Sequence, residues 1–165
     1  MITIETAAIA DLNVVREIAY KTWPDTYGAI VSAAQIDYML GSLYSIETLS
    51  ANITEKGHHF LLVKEDHNYL GFASYEHHYN AAPITKIHKI YILPEAQGKG
   101  IGKMLIDKVA DLAKEAGVER LCLNVNRHNK ARFFYEKLGF TIVAEEVIPL
   151  DHDYVMDDYI MEKQI

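Results

Sequence analysis

Apolar residues change their period several times along this chain, and each change marks a predicted element. Ile2-Thr3-Ile4-Glu5-Thr6 alternates as a short strand does. Beyond Asp11, which can cap a helix, Leu12, Val15, Ile18, Ala19 and Thr22 recur at the three- and four-residue spacing of one helical face, and Pro24 is expected to end that helix. Ser32 with Gln35 three residues on is a capping-box signature ahead of Ile36, Met39 and Leu40, closed by Gly41. Ser45 opens a third helix that finishes at Gly57. His59 to Lys64 and Tyr69 to Glu76 then read as an antiparallel hairpin turning through Asp66-His67-Asn68.

Ile84 to Ile92 is rich in β-branched residues and must end as a strand before Pro94, because proline has no ladder donor. A helix follows, with Ile101, Met104, Leu105, Val109, Leu112, Ala113 and Ala116 on one face and Gly117 as its stop. Leu121, Leu123 and Val125 alternate with Cys122, Asn124 and Asn126 in the next strand. Asn129 is placed to cap a helix bearing Ala131, Phe134, Tyr135 and Leu138, which Gly139 terminates. Phe140 to Val147 and Tyr154 to Lys163 are closing strands. The order strand, helices, three strands, helix, strand, helix, two strands is that of an α/β fold with a mixed sheet.

With 165 residues, residues 1–165 are expected to form one domain. A net charge of −7 argues against nucleic acid as a partner. Cys122 is the sole cysteine, so an internal disulfide is impossible, and its alternation between leucines predicts a buried, inert thiol. Neither a leader nor an apolar run of about 18 residues is present, so a cytoplasmic protein without membrane attachment is expected. His77 and His78 invite a metal reading, but adjacent strand residues point to opposite faces, and no metal is expected.

Candidate chemistry concentrates in Gln97-Gly98-Lys99-Gly100-Ile101-Gly102-Lys103, three alternating glycines at a helix start. Such a loop aims unpaired N–H groups and the positive end of a helix dipole at an anion. The spacing is neither a Walker loop, since Met104 follows Lys103, nor the Gly-x-Gly-x-x-Gly of a dinucleotide site.

The pattern Gln-x-x-Gly-x-Gly after Ile-Tyr-Ile-Leu-Pro, together with Asn129 and Phe-Phe-Tyr-Glu-Lys-Leu-Gly-Phe, resembles the GNAT superfamily of N-acetyltransferases. The resemblance runs from about Asp11 to the C-terminus. It implies the acyl-coenzyme A N-acyltransferase fold: a mostly antiparallel sheet of six or seven strands, flanked by helices and splayed between strands 4 and 5, with a slot opening beside Ile92. It implies acetyl-coenzyme A as cosubstrate, held by the backbone of Ile90, Tyr91 and Ile92, by Gln97 to Lys103 at the diphosphate and by Asn129. It also implies Tyr135 as proton donor to the departing thiolate. The connector holding Trp23 and Tyr27, with Glu76 and His77 beyond the hairpin, is expected to wall the acceptor site.

Acetyl transfer to an amine needs an unprotonated nucleophile, and an alkylamine is only about one part in a thousand neutral at pH 7. By strand period, Lys86, His88, Ile90 and Ile92 share a face, which makes His88 a candidate base. Glu76 and ordered water are the alternatives. Some family members use a glutamate where Lys86 stands, and ribosomal-protein acetyltransferases carry one where Asn124 stands. The resulting expectation is an N-acetyltransferase that moves acetyl to a small amine or polyamine by direct attack. Acetylation of a protein amine, or a non-catalytic acyl-coenzyme A sensor, are the other readings. A homodimer is possible through the final strand.

Overall fold

The computed structural model describes residues 1–165. Its strands are β1 (Ile2–Thr6), β2 (His59–Glu65), β3 (Asn68–Glu76), β4 (Ile84–Ile92), β5 (Arg120–Asn126), β6 (Thr141–Pro149) and β7 (Val155–Gln164). Its helices are α1 (Leu12–Tyr27), α2 (Ala33–Leu43), α3 (Ile46–Thr54), α4 (Ile101–Glu115) and α5 (Ala131–Lys137). The sheet runs β1-β2-β3-β4-β5-β7-β6, with every pair antiparallel except β4 and β5. Both faces are covered, and 35 buried residues form one contiguous apolar cluster. No helix is long and apolar enough to cross a membrane.

Three local expectations are corrected by packing. Pro24 does not end α1, which continues to Tyr27. A proline inside a helix costs about 3 kcal/mol, but Trp23 and Tyr27 extend the apolar stripe and are both buried, with Trp23 packed against Tyr44 and Tyr91. Burying two large aromatics outweighs the lost helix bond. Gly41 likewise lies inside α2 rather than after it. Ser32 caps α2 as expected, accepting from the Gln35 N–H at 3.1 Å, but the Gln35 amide donates to the Val155 carbonyl and ties α2 to β7. Asp11 accepts from the Ala8 N–H at 2.8 Å and so closes a 3₁₀ turn ahead of α1.

The final strand does not lie at an edge. β7 is paired on both sides, and the edge on that side of the sheet is β6, which exposes Ile142, Val143 and Val147. An exchange of strand order placed the last strand inside the sheet, something that no period along the chain records.

The feature that positions the site is a bulge in β4. Ser74 pairs with Lys89 and Tyr75 with Ile87, so His88 is the extra residue. The parallel ladder to β5 ends at the same point, its last pair being Ile87 with Leu123. The two strands therefore part from His88 onward, four residues earlier than the slot expected beside Ile92. The bulge also resets the alternation of side chains. His88 joins Lys89 and Tyr91 on the face packed under α1 and α3, where they meet His58, Phe60 and Trp23. Ile92 faces α4 and meets Gly102, so His88 and Ile92 do not share a face.

Candidate active site

Where β4 and β5 separate, a cavity of about 900 Å³ opens between them. Ile87 to Ile92 form one wall and Leu123, Asn124 and Val125 the other, with the α4 entrance and α5 at its ends. The edge of β4 from His88 to Ile92 that faces β5 has no strand partner, which leaves main-chain donors and acceptors in reach of a ligand.

The glycine loop supplies the entrance. Gln97, Gly98, Gly100, Ile101 and Gly102 line the cavity. Gly98 and Gly100 have φ of +84° and +75°, the left-handed region that glycine enters at little cost, and a Cβ on either would meet nothing within 4 Å. The third glycine serves packing instead: at Gly102 a Cβ would come within 3.0 Å of Phe134 Cζ and 3.3 Å of Ile92 Cδ1. Lys99 and Lys103 do not line the cavity. Lys103 pairs with Asp107 at 2.6 Å, and Lys99 lies 3.9 Å from Glu65. Lys130, which no sequence motif marked, does line it. Gly100→Val is expected to raise the Kd for coenzyme A about tenfold in calorimetry, because a left-handed valine costs about 1–2 kcal/mol to hold.

At the far end stand the candidate chemical groups. Tyr135 is buried against Phe134 and Phe140 yet lines the cavity, and burial pushes its phenol well above the ordinary range. Asn129 also lines the cavity, and its Oδ1 accepts from the Ala131 N–H, the first of α5, at 2.9 Å. Tyr27 reaches the cavity with its hydroxyl 2.9 Å from that of Tyr91. Trp23 stands behind them in the core and does not reach the cavity. His77 lies outside as well, its Nδ1 2.7 Å from Thr85 Oγ1 and its ring against Tyr75 and His59. Cys122 is buried, which pushes its thiol up to about 11 and makes it a poor nucleophile.

His88 carries a close polar contact. Its Nε2 lies 2.9 Å from Glu76 Oε1, and His58 brings its own Nε2 to within 3.4 Å of the same oxygen. The two imidazoles stack with centroids 4.0 Å apart and planes 15° from parallel. A carboxylate only accepts, so the Nε2 of His88 carries the hydrogen and its Nδ1 keeps a lone pair. Burial, then the neighbouring lysines Lys86, Lys89 and Lys56, lower His88 to about 3. Burial and then the charge of His88 lower His58 to about 4. Both rings are therefore neutral at pH 7. Sequence reasoning missed His58, although it falls two residues before Phe60 on the same strand face. His58, Glu76 and His88 bring three donor atoms within 4.8 Å of one another.

Because the unfolded chain protonates histidine near 6.5 while the folded chain resists it, this pair contributes stability that is complete above pH 6.5 and lost as pH falls toward 4 and 3. Thermal melts are expected to show Tm roughly 5 °C lower at pH 5 than at pH 7.5. A His58→Gln, His88→Gln double variant should flatten that slope.

A second cavity of about 550 Å³ adjoins the first and shares His88 and Lys89 with it. It lies beneath the α2–α3 junction, with Glu76 and His58 in its wall.

The profile of the acetyltransferase (GNAT) family matches residues 12–140. The spermidine N(1)-acetyltransferase of Thermoplasma acidophilum is 30% identical over 168 residues, covering 99% of this chain and 97% of that one. The ribosomal protein bS18-alanine N-acetyltransferase of Haemophilus influenzae is 39% identical over 100 residues, 61% of this chain and 66% of that one. Among solved structures, the PaiA N-acetyltransferase of Thermoplasma acidophilum in complex with coenzyme A superimposes with a TM-score of 0.83 at 29% identity, over 100% of this chain and 99% of that one. A split sheet with a glycine-lined entrance, together with these matches, means that the chain belongs to the GNAT family and is an N-acetyltransferase.

Proposed function

We propose that residues 1–165 act as a single N-acetyltransferase domain that moves acetyl from acetyl-coenzyme A to the primary amine of a small molecule by direct attack. The observation that carries this reading is the parting of β4 and β5 at His88, which sets free strand edge, glycine loop and a neutral imidazole around one cavity. Acetyl-coenzyme A supplies an activated thioester. Main-chain N–H groups of Gly98 and Gly100 face the diphosphate, and the free edge of β4 orients the arm. A main-chain donor of β4 stabilises negative charge developing on the carbonyl oxygen, an effect worth about 3 kcal/mol. His88, oriented by Glu76, takes the proton from the attacking nitrogen at Nδ1 as the C–N bond forms and that nitrogen becomes acidic. The Tyr135 hydroxyl donates to the leaving sulfur. Metal plays no part in these steps.

The relative that acts on spermidine supports a small-amine acceptor. Asn124, where ribosomal-protein acetyltransferases carry a glutamate, speaks against a protein N-terminus. The absence of a membrane-crossing helix is consistent with work in the cytoplasm, and the apolar edge of β6 offers the surface for a homodimer. Calorimetry with coenzyme A and acetyl-coenzyme A, followed by a free-thiol assay over an amine panel, tests the reading. Uptake of coenzyme with turnover of a small amine is expected. Uptake without turnover of any amine or peptide would make the protein a sensor, and no uptake would end the account.

A further inference from the structure

The second cavity holds a charge imbalance that acetyl transfer itself does not need. Its one carboxylate, Glu76, already accepts from His88 and lies 3.4 Å from the Nε2 of His58. Two ammonium groups share the same walls: Lys89, half-buried near the rings of Tyr44 and Phe60 at 5.8 and 5.9 Å, and Lys56 at the exposed rim. Neither forms an ion pair. Lys86 adds a third positive charge beside them, its Nζ 3.3 Å from the hydroxyl of Tyr79, another residue of the cavity wall. Asp158, the buried carboxylate on β7, is held by Asn124 and pairs with none of these lysines.

An ammonium held partly out of water without a counter-ion is costly. Partial burial, then the charge of Lys56, bring Lys89 down to about 8. Aromatic faces offset part of that cost, but at nearly 6 Å they offset little. An anion placed between Lys89 and Lys56 would relieve it fully, and Asn52, with its Nδ2 already donating to the Thr48 carbonyl, leaves a side-chain oxygen to orient a neighbouring hydroxyl or amide. The cavity meets the acyl cavity at His88, so a ligand spanning the two would present one end to the base and the other to the lysines.

We propose that this second cavity is the acceptor site, and that the acceptor is an amine carrying an acidic group, a carboxylate or phosphate, seated on Lys89 and Lys56 while its amine reaches His88. This rests on the amine-acetyltransferase reading and narrows it. A trivalent polyamine meets the ammonium groups of Lys89 and Lys56 in the cavity wall and that of Lys86 beside it, and like charges repel. The site therefore selects against the acceptor that the spermidine-acetylating relative is named for.

Free-thiol release is measured with acceptors of matched length: 4-aminobutyrate, 3-aminopropyl phosphate, 4-amino-1-butanol, putrescine and spermidine. The carboxylate or the phosphate amine is expected to show kcat/KM at least tenfold above the neutral alcohol, the difference lying in KM, and whichever of the two is better identifies the acid. In Lys89→Met that ratio should collapse toward one, and in Lys56→Met it should fall about threefold. Preference for spermidine or putrescine, or a Lys89→Met loss equal for charged and neutral amines, overturns the proposal. Should no amine be turned over, calorimetry on the coenzyme A complex decides instead. Binding of 4-aminobutyrate or 3-aminopropyl phosphate that is lost in Lys89→Met upholds the site although the activity reading has failed, and no binding of either sinks it. Circular dichroism melts of each variant separate these outcomes from misfolding.

Discussion

Tyr135→Phe is expected to lower kcat about 10²-fold while KM for both substrates moves less than twofold. The phenol lines the acyl cavity and its hydroxyl is engaged by no other protein group. Burial keeps it protonated across the working pH range. A thiolate whose conjugate acid lies near about 8.5 cannot remove a phenol proton outright. The gain comes from a strengthening hydrogen bond, which places the loss at the low end of the about 10²–10⁴ typical of general acids. Phenylalanine keeps the ring contacts to Phe134 and Phe140, so Tm should be unchanged. A kcat loss under threefold would remove Tyr135 from the mechanism.

The second large effect concerns the base. His88→Ala should lower kcat/KM by about 10²–10³ at pH 7, and the deficit should stay constant as pH rises toward the acceptor's own pKa near 10.4, because both enzymes need the neutral amine and His88 acts only as the C–N bond forms. Because the folded chain holds His88 neutral down to about 3, the wild-type profile should carry no ascending limb near 6.5. Its ascending limb belongs to the amine. Glu76→Gln keeps an acceptor for Nε2 but removes the charge that stabilises the transient imidazolium, and a loss of about tenfold is expected. An ascending limb at pH 6–7 that vanishes in His88→Ala would show that the ring titrates freely and would refute the neutral-base description.

Much of the coenzyme half was legible along the chain. A β-branched run ended by Pro94, alternating glycines and an apolar helical stripe are local signals, and each is set by backbone sterics or by one amphipathic face. Ser32 and Ser45 act as capping residues, because a cap is decided within three residues of the chain, while Asn129 sits one residue ahead of the cap position and accepts from the first N–H of α5. Pro24 misled because its local cost is real but smaller than the burial of Trp23 and Tyr27, which depends on Tyr44 and Tyr91 from elsewhere in the sequence.

What the sequence alone determined is therefore the order of elements, the glycine entrance and the candidacy of Tyr135, His88 and Glu76. Tertiary structure decided where they meet. A single extra residue in β4, invisible to any period of two, moved His88 off the face of Ile92, parted the strands and set the ring against Glu76 and His58. It also set Lys89, half-buried and without a counter-ion, beside that cluster. Register and the pairing of charges are properties of neighbouring strands, and no single strand carries the information that fixes them.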